Sequence, residues 1–444
     1  MKPAITNEDW NTCLNVLRHC LQQPEEIPDE QVFKGLVTKL YKDARKRKRI
    51  AESHRQKAED RKQQGNTILF QKNDDFSESL SIKSLPEISA GFKPLNKPKR
   101  CYICKEAYQH LHFFYHLLCP KCAALNFEKR NQRTNLNGQT ALITGGRIKI
   151  GFELALKMLR DGARVIVTTR FPDDAYKRYS AQDDFREWAG RLHLYGLDLR
   201  NLSSLEQFIS GLYRDFPSLE MIINNAAQTI KRPAAFYQHL LGGEQQTYLL
   251  EARQEPTNAL SLSNPYFPIG KLDKDQQQID LRPLNSWKTK LNEVSVMEML
   301  EVQLVNTTAP FLLNSRLKGL LTQSKFTKKF IVNVSAMEGK FHRNFKSVFH
   351  PHTNMAKAAL NMMTRTSAHD YVQEQIFMTS VDTGWVTDEN PYPQKVYMRE
   401  QGFVPPLDCV DGAARVYDPV VSGIEDTGTP SYGVFLKDYQ PTDW

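Results

Sequence analysis

The sequence predicts an α/β fold: a doubly wound parallel sheet of about seven strands, preceded by a helical, cysteine-bearing N-terminal extension. Three observations carry this. From Thr140 onward, short apolar runs alternate with stretches of helical periodicity, the pattern of strands buried on both faces by crossover helices. The first of those strands enters a glycine-bearing turn, Thr144-Gly145-Gly146-Arg147-Ile148-Lys149-Ile150-Gly151. The net charge of +9 resides entirely in residues 1–135, residues 136–444 being neutral, and the break falls at Asn135-Leu136-Asn137-Gly138. The segments expected are a helical basic region (1–65), a linker (66–99), a four-cysteine module (100–135) and a neutral α/β domain (136–444).

The extension opens at Met1 to Asp9, acidic early and without the apolar core of a secretory signal. No apolar run anywhere approaches the ~18 residues of a membrane span, so a soluble protein of the cytoplasm or nucleus is expected. Thr6 and Asp9 resemble a capping pair for a helix whose stripe is Trp10, Cys13, Leu14, Leu17, Cys20 and Leu21. Cys13 and Cys20 are read as small core residues rather than ligands. After Pro24 and Pro28, a second stripe of Val32, Phe33, Leu36, Val37 and Leu40 predicts another helix. It runs into Arg45-Lys46-Arg47-Lys48-Arg49. Residues 42–64 could bind phosphate backbones or direct nuclear import, or form a solvated helix extension; no aromatic residues interleave for base stacking. Residues 66–99, rich in Ser, Lys, Asn and Pro, read as linker.

Cys101-Tyr102-Ile103-Cys104 and Cys119-Pro120-Lys121-Cys122 then supply four thiolates at knuckle spacing, the tetrahedral shell of a structural Zn²⁺. The extension is thereby expected to be helical and zinc-containing. A catalytic zinc is disfavoured because four protein ligands leave no open position. His110, His112 and His116 between the pairs are read as shell or surface groups. Such a knuckle serves protein, nucleic-acid and purely folding roles alike, so residues 101–122, with 42–64, are candidates for contact with a protein or nucleic-acid partner.

In the neutral domain the expected strands are Thr140–Ile143, Ala163–Thr168, Leu192–Leu197, Glu220–Ile223, Lys329–Val334, Ile376–Val381 and Tyr432–Leu436. The expected helices are Lys149–Asp161, Asp183–Ala189, Ser203–Asp215, Val296–Gly319 and Asn354–Gln373. Glycines between a strand and a helix N-terminus let backbone amides approach a pyrophosphate. Further marks follow in order: Asp198-Leu199 after the third strand, Asn224-Asn225-Ala226-Ala227 after the fourth, and Asn306 on a long helix. Ile331-Val332-Asn333-Val334-Ser335-Ala336 forms the fifth strand, Lys357 lies in Ala356-Lys357-Ala358-Ala359-Leu360, and Val381-Asp382-Thr383-Gly384 ends the sixth.

Over roughly residues 138–444 these marks resemble the short-chain dehydrogenase/reductase family. The resemblance implies a Rossmann-type oxidoreductase that contacts its dinucleotide through Gly145, Arg147, Lys149, Ile150, Gly151, Arg170, Asp198, Leu199, Asn225, Ala226 and Lys357, with Asn306, Lys357 and Thr353 at its catalytic positions. NADP(H) is expected over NAD because the second strand ends in Arg170, where NAD enzymes generally place an acid for the ribose hydroxyl. Lys149 replaces the middle glycine of the family's T-G-x3-G-x-G, and Thr383 the proline of V-x-P-G. Two departures fall on the chemistry. Thr353 stands where the family has its catalytic Tyr, and Ala336 where it has its Ser, with Ser335 one step away on the other face of the strand. A threonine hydroxyl is a poor general acid for a developing alkoxide. His352 is expected to point away from Thr353; His350, His342 and Glu338, in the same loop, could reach the site but are read as surface polar residues. An insertion at about 228–292 should leave the carboxyl ends of the strands, as a lid or a docking arm.

Two readings result. One is an NADP(H)-binding oxidoreductase with a non-standard active site acting on an unidentified small molecule, with oligomerisation open. The other is a catalytically inactive scaffold of the same fold that docks on protein or nucleic acid through the knuckle and the basic arm.

Overall fold

A computed structural model describes residues 5–27, 29–72, 93–240, 265–342 and 346–444. Met1–Ala4, Pro28, most of the expected linker (73–92) and the centre of the insertion (241–264, with Gly242-Gly243) lie outside them. The chain forms two compact units, residues 1–63 with 95–97, and residues 64–94 with 98–444.

The smaller unit contains α1 (Asn7–Gln22) and the 36-residue α2 (Glu30–Gly65). Thr6 and Asp9 form the expected capping box of α1. No residue of α1 is buried, and Trp10, Val32, Leu36, Leu40 and Tyr41 are all exposed. The expectation of core cysteines fails here: Cys13 is exposed and Cys20 only half-buried, because two helices enclose too little volume.

In the larger unit, α3 (Pro120–Asn131) starts at Cys119 with Pro120 at the first helical position, where a missing N–H costs nothing. The main sheet has the strands β1 (Thr140–Thr144), β2 (Arg164–Thr169), β3 (Leu192–Gly196), β4 (Met221–Asn224), β5 (Lys329–Ser335), β6 (Ile376–Asp382), β7 (Phe435–Lys437) and β8 (Gln440–Thr442). Their order is β8-β7-β6-β5-β4-β1-β2-β3. Seven strands run parallel as expected. The eighth is an antiparallel addition that turns back through Asp438 and Tyr439, both at positive φ.

Helices α4 (Lys149–Arg160) and α9 (Cys409–Glu425) cover one face of the sheet. On the other lie α5 (Leu202–Asp215), α6 (Val296–Gln303) continued by α7 (Ala309–Arg316), and α8 (Pro351–Tyr371). The strands read as continuous apolar runs because each face is buried. The single long helix expected over 296–319 is interrupted by one π turn, Leu304–Thr308. Pro310 has no N–H for the carbonyl of Asn306 and its ring crowds that carbonyl, so the helix widens there. Among the described residues no helix is long and apolar enough to cross a membrane.

Candidate active site

The strand order reverses between β1 and β4, and the loops leaving their carboxyl ends part there into a crevice. The result is a cleft of about 1000 Å³. All of the expected cofactor positions border it: Gly145, Arg147, Lys149, Ile150, Gly151, Arg170, Asp198, Leu199, Asn225 and Ala226. So do Asn306, Thr353 and Lys357.

The glycine turn is packed to the limit of a hydrogen at two points. Gly145 has φ +70°, and a Cβ on it would stand 2.9 Å from the Ala226 Cα. A Cβ on Gly151 would stand 2.4 Å from both the Gly145 oxygen and Asn225 Nδ2. Asn225 closes the junction, donating from Nδ2 to the carbonyls of Thr144 (3.0 Å) and Gly145 (3.1 Å). The Thr144 hydroxyl accepts the amides of Asn225 and Ala226 at 3.0 Å each. Lys149 sits at φ +56°, the left-handed region where glycine is at ease, which explains the glycine of the related motif. Its ammonium lies 3.6 Å from Glu389. Arg147 is tied to Asp174 (2.5 Å) and Gln277 (2.8 Å), and Asp198 is gripped by Arg200. Arg170 makes no ion pair among the described residues; its guanidinium lies over the Tyr237 and Phe171 rings.

At the other end of the cleft, Asn306 clasps the start of the insertion, accepting the Gln228 amide at 2.7 Å and donating to its carbonyl at 3.2 Å. Lys357 donates to the Val334 carbonyl at 2.7 Å. Burial lowers its pKa to about 8, partly opposed by Glu338. Thr353 donates its hydroxyl proton to the His350 carbonyl at 2.8 Å, and His350 Nδ1 lies 3.2 Å from Thr353 Oγ1. That proton is engaged away from the cleft. His352 points elsewhere, as expected, 3.4 Å from Glu298.

His350 and Glu338 correct the surface reading. His350 is buried, its ring stacked on Trp287 of the insertion at 3.9 Å with planes 8° apart, and Glu338 borders the cleft. Ser335 Oγ is buried without a hydrogen-bond partner. Asp382 stands beside Ser335 in the β5–β6 register and Lys437 beside Asp382 in the β6–β7 register, and all three border the cleft. Burial raises the Asp382 carboxyl to about 6, and the neighbouring Glu338 and Asp438 push the same way against Lys437 and Arg415.

The four cysteine sulfurs of the knuckle lie within 4.8 Å of one another. A tetrahedron with Zn–S of about 2.3 Å has S···S edges of roughly 3.8 Å, and Cys104 and Cys119 are 3.7 Å apart. Burial opposes ionisation of Cys101, yet the amides of Cys119, Cys104 and Ile103 directed at its sulfur bring its pKa below the ordinary thiol value.

Sequence reasoning missed Asp382 as a titrating group, Trp287 as the lid of His350, and Tyr102 as a cleft residue. Only Asp382 carried a signal, as the acid inside Val381-Asp382-Thr383-Gly384. The other two come from segments remote in the chain, where no local pattern could announce them.

A family model described as short chain dehydrogenase matches residues 139–240. The chain is 32% identical over 344 residues to "Uncharacterized protein R665" of Acanthamoeba polyphaga mimivirus, covering 72% of this chain and 71% of that one. It is 31% identical over 116 residues to human "Dehydrogenase/reductase SDR family member 13" (26% of this chain, 28% of that one) and 31% identical over 165 residues to human "Retinol dehydrogenase 12" (34% and 51%). The chain thus spans about a quarter to a half of these two oxidoreductases. A crystal structure of a short chain dehydrogenase from Burkholderia cenocepacia J2315 in complex with NADP superposes with a TM-score of 0.46 at 16% identity, covering 68% of this chain and 97% of that one. Taken with a glycine turn, an Asn-Asn-Ala junction and a lysine that converge on one crevice, the family-model match and the dehydrogenase relatives mean that the chain belongs to the short-chain dehydrogenase/reductase family, as a divergent member that lacks the usual Tyr and Ser.

Proposed function

We propose that the protein is an NADP(H)-binding oxidoreductase with a non-standard active site, acting on a small molecule, and that Cys101, Cys104, Cys119 and Cys122 hold a structural Zn²⁺. The observation that carries the cofactor reading is the cradle at the first turn, where a Cβ on Gly145 or Gly151 would fill the space. Backbone so free of side chains, beside a helix N-terminus, suits a pyrophosphate. Arg170, which makes no ion pair among the described residues and lies over the Phe171 and Tyr237 rings, suits a 2′-phosphate. Lys357 suits ribose hydroxyls. A bound NADPH would supply a hydride.

The chain's own residues would then have to meet the charge that forms on a reduced oxygen. Thr353 is badly placed to do so, its proton being spent on His350. Asp382 retains a proton closer to neutrality than an ordinary carboxyl and borders the same cleft, so it is the group we assign to hold the transferable proton. Trp287, stacked on His350, helps to exclude water from that end.

Fluorescence titration tests the cofactor assignment. NADPH should bind more tightly than NADH, and Arg170→Asp should shrink the difference. Equal affinities, or binding of neither, would overturn it. Metal analysis tests the zinc: about one equivalent per chain is expected, lost in Cys101→Ser/Cys122→Ser.

A further inference from the structure

The knuckle does more than pair cysteines. Between Cys101 and Cys104, the side chain of Tyr102 reaches the cleft wall, and its hydroxyl accepts the backbone N–H of Trp385 at 2.9 Å. Trp385 follows Gly384, which turns the chain at φ +75° after β6 and is hemmed in by Leu407, Arg415 and Tyr102. The same segment continues to Glu389, which faces Lys149 of the glycine turn at 3.6 Å and whose carbonyl accepts from Asn285 of the insertion at 3.0 Å. A contiguous path therefore leads from the four thiols, through Tyr102 and the 384–389 segment, to both the glycine turn and the insertion.

The rest of the module is anchored independently of any metal. Tyr115 donates to Asp411 at 2.5 Å, and Arg130 pairs with Asp408 and Asp411 at 2.6 and 3.0 Å. The 101–104 loop is held in part by backbone bonds, from the Tyr102 amide to Leu117 at 2.9 Å and from the Cys101 amide to Glu106 at 2.9 Å. Its closure upon the second cysteine pair rests on the sulfur atoms themselves. Metal bound there would fix the direction in which Tyr102 points.

We propose that the four-cysteine module controls the cleft: with metal bound it presses Tyr102 against the Gly384–Trp385 turn and holds the ligand-binding shape, and without metal that hold is released. Tyr102 is in this sense a positioning residue. The inference deepens the cofactor reading and rests on it for the identity of the ligand, but the Trp385 contact can be measured without any ligand.

The test compares three samples of the full chain: as purified with its metal, stripped with a chelator, and Tyr102→Phe, which keeps all four thiols. Amide hydrogen exchange is followed at Trp385, with the β5 amides of residues 330–334 as an internal standard of folding. In both altered samples the Trp385 amide should exchange about tenfold faster while β5 stays protected, as expected for loss of one hydrogen bond. NADPH should bind several-fold more weakly to both. Should stripping unfold the protein, Tyr102→Phe alone decides. Unchanged exchange at Trp385 in the folded altered protein would sink the proposal and leave the module a folding element only. Faster exchange with unchanged NADPH affinity would also overturn it, since the contact would then not govern the cleft. If the purified protein binds neither NADPH nor NADH, the cofactor reading falls, while exchange at Trp385 still decides whether metal and cleft wall are linked.

Discussion

Lys149 shows what a single departure costs and where it is recovered. A non-glycine residue in the left-handed region gives up about 1–2 kcal/mol, and here the side chain that incurs it reaches Glu389 across the cleft mouth. Burial alone would raise the Glu389 carboxyl, but Lys149, Lys395, Thr387 and Arg232 together bring it down to about 2. Around Asp382 the balance is reversed, since Lys437 and Arg415 do not offset burial, Glu338 and Asp438. The folded Asp382 pKa of about 6 lies above the ordinary carboxyl value of 3.8, so the native state retains a proton through that window and stability falls as pH rises through it. Holding this carboxylate ionised at neutral pH costs on the order of 2–3 kcal/mol. Asp382→Asn should therefore stabilise the fold by up to that amount at pH 8 and by nothing near pH 3, read from urea midpoints at the two values. A gain of equal size at both would refute the titration. Thr353 and Ala336 lead to a second expectation. Reduction of simple carbonyls by the natural protein should be slow, by about 10²–10⁴-fold for want of the usual acid. Thr353→Tyr with Ala336→Ser should raise it in steady-state assays, and brisk natural activity that survives Lys357→Ala would place the active site elsewhere.

At the scale of elements, α3 and α9 are joined by ion pairs of Lys129 and Arg130 with Asp408, Asp411 and Asp418. Arg130 of α3 is buried between Asp408, the N-cap of α9, and Asp411, its third residue. Burial would lower the Arg130 pKa, but the two carboxylates more than reverse that. Arg130→Ala should destabilise the protein by about 3–5 kcal/mol, because it removes the guanidinium that pairs with the buried Asp411 and the half-buried Asp408. A thermal transition within 1 °C or so of the natural protein's would contradict this. Helix α9 was not legible in the sequence. It is buried on almost every side, and Gly412 and Pro419, residues that ordinarily break helices, lie within it. Only its capping pair, Asp408 and Asp411, marks its start. The π turn at Asn306 was equally hidden, although Pro310 four residues on is its cause.

On the scale of the molecule, charge and burial both set the N-terminal helices apart from the sheet domain. The smaller unit carries Arg45 to Arg49 on a helix that buries nothing there, whereas residues 136–444 of the larger unit are neutral and built around a covered sheet. If α2 contacts nucleic acid, its affinity for a duplex should fall steeply between 50 and 200 mM salt as phosphates release counterions. Replacing those five residues by Gln should flatten the salt slope in a filter or anisotropy assay, and an unchanged slope would leave α2 a solvated helix. The sequence by itself determined the parallel sheet, the cysteine set and the positions of the glycine turn, Asn225, Asn306 and Lys357, because each rests on local periodicity or on spacing along one chain segment. Only the tertiary structure decided that Thr353's proton is turned inward, that Asp382 is buried beside Ser335, and that Tyr102 and Trp287 enter the cleft. Those facts depend on which distant segments pack together, and a residue's burial, its hydrogen-bond partners and hence its proton affinity are set by neighbours in space rather than in sequence.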